Sequence, residues 1–219
     1  MINKSEIEQK VAEFLLQIKA IKLQPTKPFT WASGLKSPIY CDNRITLSYP
    51  SIRTYIRQNL AALIQEEYGS VGVVCGVATA GIPQGVLVAQ ELGLPFAYVR
   101  SAAKEHGTGS LIEGEIHEGQ RVVVVEDLIS TGKSSLHAVE ALRAAGCDVA
   151  GMVAIFSYGL TEATENFKNA KCKFSTLSNY NALIEYASEH TYISKEDVEL
   201  LRKWKTNPND WSGSISESL

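Results

Sequence analysis

Four consecutive valines, Val122 to Val125, run into two acids, Glu126 and Asp127, and then into Leu128-Ile129-Ser130-Thr131-Gly132-Lys133-Ser134-Ser135. No other stretch of the 219 residues limits the possible folds as much. An apolar β-branched run without alternation suits a strand covered on both faces, as in a parallel sheet. The small-residue turn behind it opens onto a helical pattern from about 133 to 145. Shorter apolar runs stand at 71–75, 96–99 and 149–156, and a helix-like stretch ending at Gly93 follows the first of them. This order of strands and helices predicts an α/β architecture, a mainly parallel central sheet flanked by helices.

The flanking segments read differently. Ser5 with Glu8 has capping-box spacing, and Ile7, Val11, Phe14, Leu15 and Ile18 share one face of the expected first helix. A second helix is expected after Pro50. Between them, 25–49 carries Trp31, Lys36, Tyr40 and Arg44 among turn residues, too polar for a core strand and too aromatic for a linker. A small N-terminal hood is expected from it. Near the C-terminus, 180–188 and a helix capped by Ser194-Lys195-Glu196-Asp197 and running to Trp204 precede a stretch rich in Asn, Ser and Gly, expected to fray. The expected division is a cap and base-binding region at 1–50, an α/β core at 51–178, C-terminal helices packing on core or cap at 179–205, and a flexible tail at 206–219.

Composition narrows the function classes. With 45% hydrophobic and 21% charged residues the chain is neither disordered, coiled-coil nor collagen-like. A formal charge of −3 argues against a nucleic-acid partner. No apolar stretch approaches the roughly 20 residues that span a bilayer, and the polar N-terminus does not resemble a secretory signal. Cys41, Cys75, Cys147 and Cys172 are far apart and read as buried free thiols of a cytoplasmic protein, and the scattered histidines do not suggest zinc.

The chemistry lies after the valines. In open α/β sheets the carboxyl ends of the strands form the ligand crevice. Ser130 to Ser134 supply consecutive backbone N–H groups, hydroxyls and a helix N-terminus, a socket for a phosphate monoester, with Gly132 admitting the ligand close to the backbone. An ordinary Ser/Thr-capped turn would look similar. A nucleotide-triphosphate loop would need glycine five places before Gly132, where Asp127 stands. Carboxylates repel phosphate but accept hydrogen bonds from sugar hydroxyls and can assist Mg2+. Acids beside a phosphate socket therefore suit a phosphorylated ribose, with Glu126 and Asp127 on its 2′ and 3′ hydroxyls.

From Val122 to Ser135 the chain resembles the phosphoribosyl pyrophosphate (PRPP) signature of type I phosphoribosyltransferases. Arg100-Ser-Ala-Ala-Lys104-Glu-His106-Gly107, with Ile112-Glu113-Gly114, is similar to the mobile catalytic loop of the orotate-using branch. Phe29-Thr-Trp-Ala-Ser33-Gly34-Leu-Lys36-Ser37-Pro38-Ile-Tyr40 is similar to its N-terminal substrate segment. The resemblance implies a type I phosphoribosyltransferase-like core with an N-terminal hood, transferring 5-phosphoribosyl from PRPP to N1 of orotate. It implies PRPP binding by Arg100, Lys104, His106, Glu126, Asp127, Leu128, Ile129, Ser130, Thr131, Gly132, Lys133 and Ser134, with Lys104, His106 and Asp127 in catalysis. Orotate would lie against Ser130 and Tyr40. Mg2+ would be held mainly by PRPP oxygens and water, without direct protein ligands. A cis non-proline peptide is implied near Thr79-Ala80-Gly81, the family's pyrophosphate loop. A homodimer is implied in which loop 100–114 serves the neighbouring site, with no nucleic-acid or membrane partner.

Several positions depart from one branch of the family. Ala32, Ala80 and Ser101 stand where it has lysine, and Phe156-Ser157-Tyr158 lacks the arginine expected for the orotate carboxylate. Arg44 and Lys36 are the substitutes the sequence offers. Two alternatives stay open at this point. One is a phosphoribosyltransferase for a purine or uracil. The other is a regulatory nucleotide sensor binding RNA or DNA, against which the acidic balance and the intact Lys104–His106 loop count.

Overall fold

The computed structural model describes residues 3–31, 34–102, 110–208 and 211. Its elements are α1 (Lys4–Gln17), β1 (Ile21–Leu23), β2 (Phe29–Thr30), β3 (Lys36–Ser37), β4 (Ile39–Cys41), a 3-10 helix (Asn43–Ser48), α2 (Pro50–Tyr68), β5 (Val73–Val77), α3 (Gly81–Leu92), β6 (Phe96–Val99), β7 (Ile112–Glu113), β8 (Arg121–Ile129), α4 (Lys133–Ala144), β9 (Asp148–Ser157), α5 (Thr161–Asn169), β10 (Phe174–Asn179), α6 (Tyr180–Glu189) and α7 (Lys195–Thr206). Six strands form the central sheet in the order β10-β9-β8-β5-β6-β7. All its pairings are parallel except β6 with β7. The α/β expectation holds.

The valine run shows why. Side chains alternate across a strand, so the four valines divide between the two faces of the sheet. Val123 and Val125 pack into the core under α1, α2, α3, α6 and α7, and Val122 and Val124 into the core under α4 and α5. All four have no solvent exposure. Burying one such side chain contributes roughly 1.5–3 kcal/mol relative to leaving it in water. A charge at any of the four would break the strand's cover on one side.

The strand order also locates the crevice. From β5 the chain moves outward through α3 to β6, whereas from β8 it moves outward the other way through α4 to β9. Neighbouring β5 and β8 therefore flank the point where the winding reverses, the place where open α/β sheets take ligands.

The hood consists of two antiparallel pairs, β1 with β4 and β2 with β3, followed by the 3-10 helix. Fully buried Trp204 of α7 bolts it down, donating from Nε1 to the Lys36 carbonyl at 3.2 Å and meeting the Trp31 ring edge-on at 5.7 Å. Trp31 in turn lies 5.1 Å from the Tyr158 ring, just beyond β9. Ser178 of β10 donates to the Glu8 carbonyl at 2.7 Å and ties α1 to the sheet edge.

Two local expectations need correction. The first helix starts one residue before Ser5, so Ser5 lies inside the first turn, and the cap is Asn3, whose side chain accepts from the Ser5 N–H. The sequence reading also passed over α5 and β10. Only Ala163 and Phe167 of α5 are buried, too short an apolar stripe to declare a helix, and β10 is a polar edge strand. The Ser194 capping box is present as expected, with Asp197 answering it. No helix among the described residues is long and apolar enough to cross a membrane.

Candidate active site

At the carboxyl end of β8 the sequence changes from valine to Glu126-Asp127 while the backbone stays in the ladder to Ile129. Gly132 then turns with φ +80° and serves as the N-cap of α4, and no side chain caps that helix's first turn. The first N–H groups of a helix have no partner within it, so this turn presents free donors at the positive end of the helix dipole. Nothing but glycine fits there, because a Cβ at 132 would lie 2.6 Å from Cε2 of Phe167. Asn166, one residue before that phenylalanine, donates to the Thr131 carbonyl at 2.9 Å and holds the turn's outer wall.

The two acids differ. Glu126 is 6% exposed, accepts from the Ser135 hydroxyl at 3.2 Å and from the Asp127 N–H at 3.0 Å. Burial first, and then the negative charge of Asp127, push its carboxyl well above the usual range. Asp127 is half-buried and is also raised by burial, against the pull of the Glu126 hydrogen bond and of nearby Arg44. Asp127 is thus the more accessible carboxylate. Its carbonyl accepts from Nδ2 of fully buried Asn43 at 2.7 Å, which fastens the 3-10 helix of the hood to the end of β8.

Across the switch point, the peptide between Ala78 and Thr79 is cis, at the loop between β5 and α3 where the resemblance implied one. Arg100, at the end of β6, pairs with Glu113 of β7 at 3.6 Å, and its N–H donates to the Leu111 carbonyl at 2.8 Å. The loop that carries Lys104 and His106 thus springs from a closed two-strand base, while those two residues lie outside the described ones.

Other candidates fall into separate places. Ser130 and Thr131 line a cavity of about 580 Å3. The Lys133 side chain reaches Glu162 of α5 at 2.9 Å, and Ser134 is exposed. Ile129 is fully buried and Leu128 packs against the core, so both serve as scaffold. Tyr40 is exposed, with the Phe29 ring 5.7 Å away. Arg44 is held by Asp42 at 2.7 Å, and Lys36 donates to Thr30 at 2.7 Å. Ala80 is the N-cap of α3, Ser101 is exposed, and Ala32 lies outside the described residues. Tyr158 is a core residue among Trp31, Phe156 and Trp204, and burial raises its hydroxyl's pKa strongly. Sequence reasoning missed Asn43, Asn166 and Phe167. The Asp42-Asn43-Arg44 cluster after an aromatic strand was the only visible trace of the first, and the overlooked α5 hid the next two.

The arrangement is a crevice at a parallel-sheet switch point, with an uncapped helix N-terminus, an acid pair and a cis peptide around it. The phosphoribosyl transferase domain profile matches residues 48–189 of the chain. That defines the class, and the relatives narrow it. Orotate phosphoribosyltransferase of Phocaeicola vulgatus is 57% identical over 205 residues, covering 94% of this chain and 97% of its own. The enzyme of that name from Listeria monocytogenes serotype 4b is 56% identical over 205 residues, covering 94% and 98%. Among solved structures, orotate phosphoribosyltransferase from Aeropyrum pernix superposes with a TM-score of 0.73 at 28% identity, covering 84% of this chain and 99% of its own. The chain belongs to the phosphoribosyltransferase family, in its orotate phosphoribosyltransferase branch.

Proposed function

We propose that the crevice between β5 and β8 carries the branch's reaction, transfer of 5-phosphoribosyl from PRPP to N1 of orotate to give orotidine 5′-phosphate and pyrophosphate, a step in making pyrimidine nucleotides. One observation carries the placement. The first turn of α4 is uncapped behind Gly132, and the turn leading into it begins at Ser130, three residues past the last of the two acids. The 5′-phosphate takes the N–H groups and hydroxyls of 130–134, and the ribose hydroxyls take Asp127, with Glu126 as its buried proton-sharing neighbour.

Breaking the C1′–O bond gathers negative charge on the leaving pyrophosphate and positive character on the sugar. Arg100, Lys104 and His106 answer the first charge, and one well-aimed donor of this kind is worth about 3 kcal/mol. Orotate N1 loses its proton readily, so no strong general base is required. Tyr40 and Ser130 border the base. Closing the glycine-containing loop 100–114 keeps water from the activated sugar, and in our reading it closes over the neighbouring subunit's site in a homodimer.

The donor set suits Mg2+. Among the described residues no three His, Cys, Asp or Glu side chains gather as a metal site. Mg2+ keeps several waters and pairs readily with substrate phosphates, so it would be held mainly by PRPP oxygens and water, with Asp127 assisting through the ribose hydroxyls rather than as a direct ligand. When bound, the ion would neutralise charge on the pyrophosphate oxygens. Four free thiols fit a reducing compartment, and the reading places the enzyme in the cytoplasm.

The test is orotate depletion followed by absorbance, with PRPP and with or without Mg2+. Consumption of orotate with stoichiometric pyrophosphate is expected. Turnover of adenine or uracil in its place would refute the assignment.

A further inference from the structure

The cavity beside Ser130 and Thr131 extends past the phosphate turn. It runs beneath Trp31 of the hood to the C-terminal end of α7, where Lys205 lines it. Its charged wall residues are Lys133, Glu162 and Lys205. The first two neutralise each other at 2.9 Å, which leaves the wall one positive charge, on Lys205.

Lys205 is half-buried, and the hydrogen bond recorded for its Nζ is to a neutral group, the Asn181 side-chain oxygen at 2.9 Å. None of the ion pairs among the described residues includes it. Burial lowers its pKa, the mark of a cation short of a counter-charge. The turn after β9 leaves room for it. Gly159 has φ +63°, and a Cβ there would sit 3.3 Å from the Lys205 Nζ.

Orotate differs from uracil by one ring carboxylate, and a carboxylate entering a half-dry cavity needs a cation or several donors. The donor's 5′-phosphate already has the α4 N-terminus and the 130–134 hydroxyls. The carboxylate is the second anion that the two substrates bring to Ser130. We propose that Lys205 is the specificity-determining counter-ion for the orotate carboxylate, supplied by the C-terminal helix. The proposal rests on the reading of the active site given above. The competing role is mechanical: Lys205 also borders the outer groove between α6 and α7 and joins the two helices through Asn181.

Lys205→Met and Lys205→Arg separate these roles in steady-state kinetics with orotate and PRPP varied in turn. A hydrogen-bonded charge pair corresponds to roughly a 10- to 100-fold effect, so Lys205→Met is expected to raise KM for orotate by about that factor. KM for PRPP should stay within about twofold, and the kcat/KM preference for orotate over uracil should shrink in proportion to the KM change. Lys205→Arg should recover most of both. An unchanged orotate KM in folded Lys205→Met, or equal rises in both KM values, overturns the proposal. If Lys205→Met does not fold, Lys205→Gln keeps a donor for Asn181 and gives the same readout. Wild-type protein that ignores orotate would defeat the earlier reading; wild-type turnover with a normal Lys205→Met would defeat only this one.

Discussion

Replacing Gly132 with alanine asks whether Phe167 presses on the turn before α4 and whether that turn binds the 5′-phosphate. The added Cβ meets two penalties. At φ +80° an L-residue is in left-handed space, at a cost of about 1–2 kcal/mol. The Cβ would also lie 2.6 Å from Cε2 and 3.0 Å from Cδ2 of Phe167. That ring is 2% exposed and packed 4.4 Å from the Phe174 ring, so it has little room to withdraw. Overpacking of this kind costs about 1–3 kcal/mol more. The total, about 2–5 kcal/mol, corresponds to a fall in Tm of roughly 4–20 °C for a chain of this size. Gly119→Ala is the control, since Gly119 has φ +77° and nothing within 4 Å of its Cβ position. It should show the left-handed penalty alone. Scanning calorimetry measures both variants, and titration with ribose 5-phosphate reads the site. Equal Tm losses in the two variants would mean that Phe167 does not press on the turn. A large Tm loss with unchanged ribose 5-phosphate affinity would mean that the turn does not hold the phosphate.

Three further outcomes are expected. Burial and Asp127 raise the Glu126 pKa, so the folded chain holds that proton more tightly than the unfolded one. The associated stability is complete below the ordinary glutamate pKa and is lost as pH climbs through the folded value. Glu126→Gln should therefore stabilise the ligand-free protein by about 1–2 kcal/mol at pH 8 and by much less at pH 4, in urea titrations; a gain independent of pH would contradict the burial argument. Asp127→Asn should weaken PRPP binding about tenfold or more by calorimetry while the Asn43 link to its carbonyl persists, and unaltered affinity would put the ribose elsewhere. Lys104→Ala should keep its circular dichroism and lose on the order of a hundredfold in kcat, an equal rate ruling out its role at the leaving group.

Legibility followed the range of the interactions. The strand at Val122, the turn at Gly132 and the Ser194 cap depend on neighbours a few residues away, and the structure has each of them. The Ser5 cap misled because the helix already starts at Lys4, with the Asn3 side chain accepting from the Ser5 N–H as its cap. α5 and β10 escaped because their apolar faces are narrow, and Asn166 and Phe167, which shape the turn at Gly132, went with α5.

The chain's own order of residues was enough for the sheet, because a run of β-branched side chains has nowhere stable to go except between two layers. It was enough, too, for the acids and the turn, which are consecutive. The partners of that turn came from the tertiary fold: Asn43 reaches Asp127 across 84 residues, Asn166 reaches Thr131 across 35, and Lys205 of the last described helix lines the same cavity as Ser130. Periodicity reports which side of an element is buried; it carries no information about which distant element will do the burying, and the clamps at this turn and the bolt on the hood are choices between distant elements.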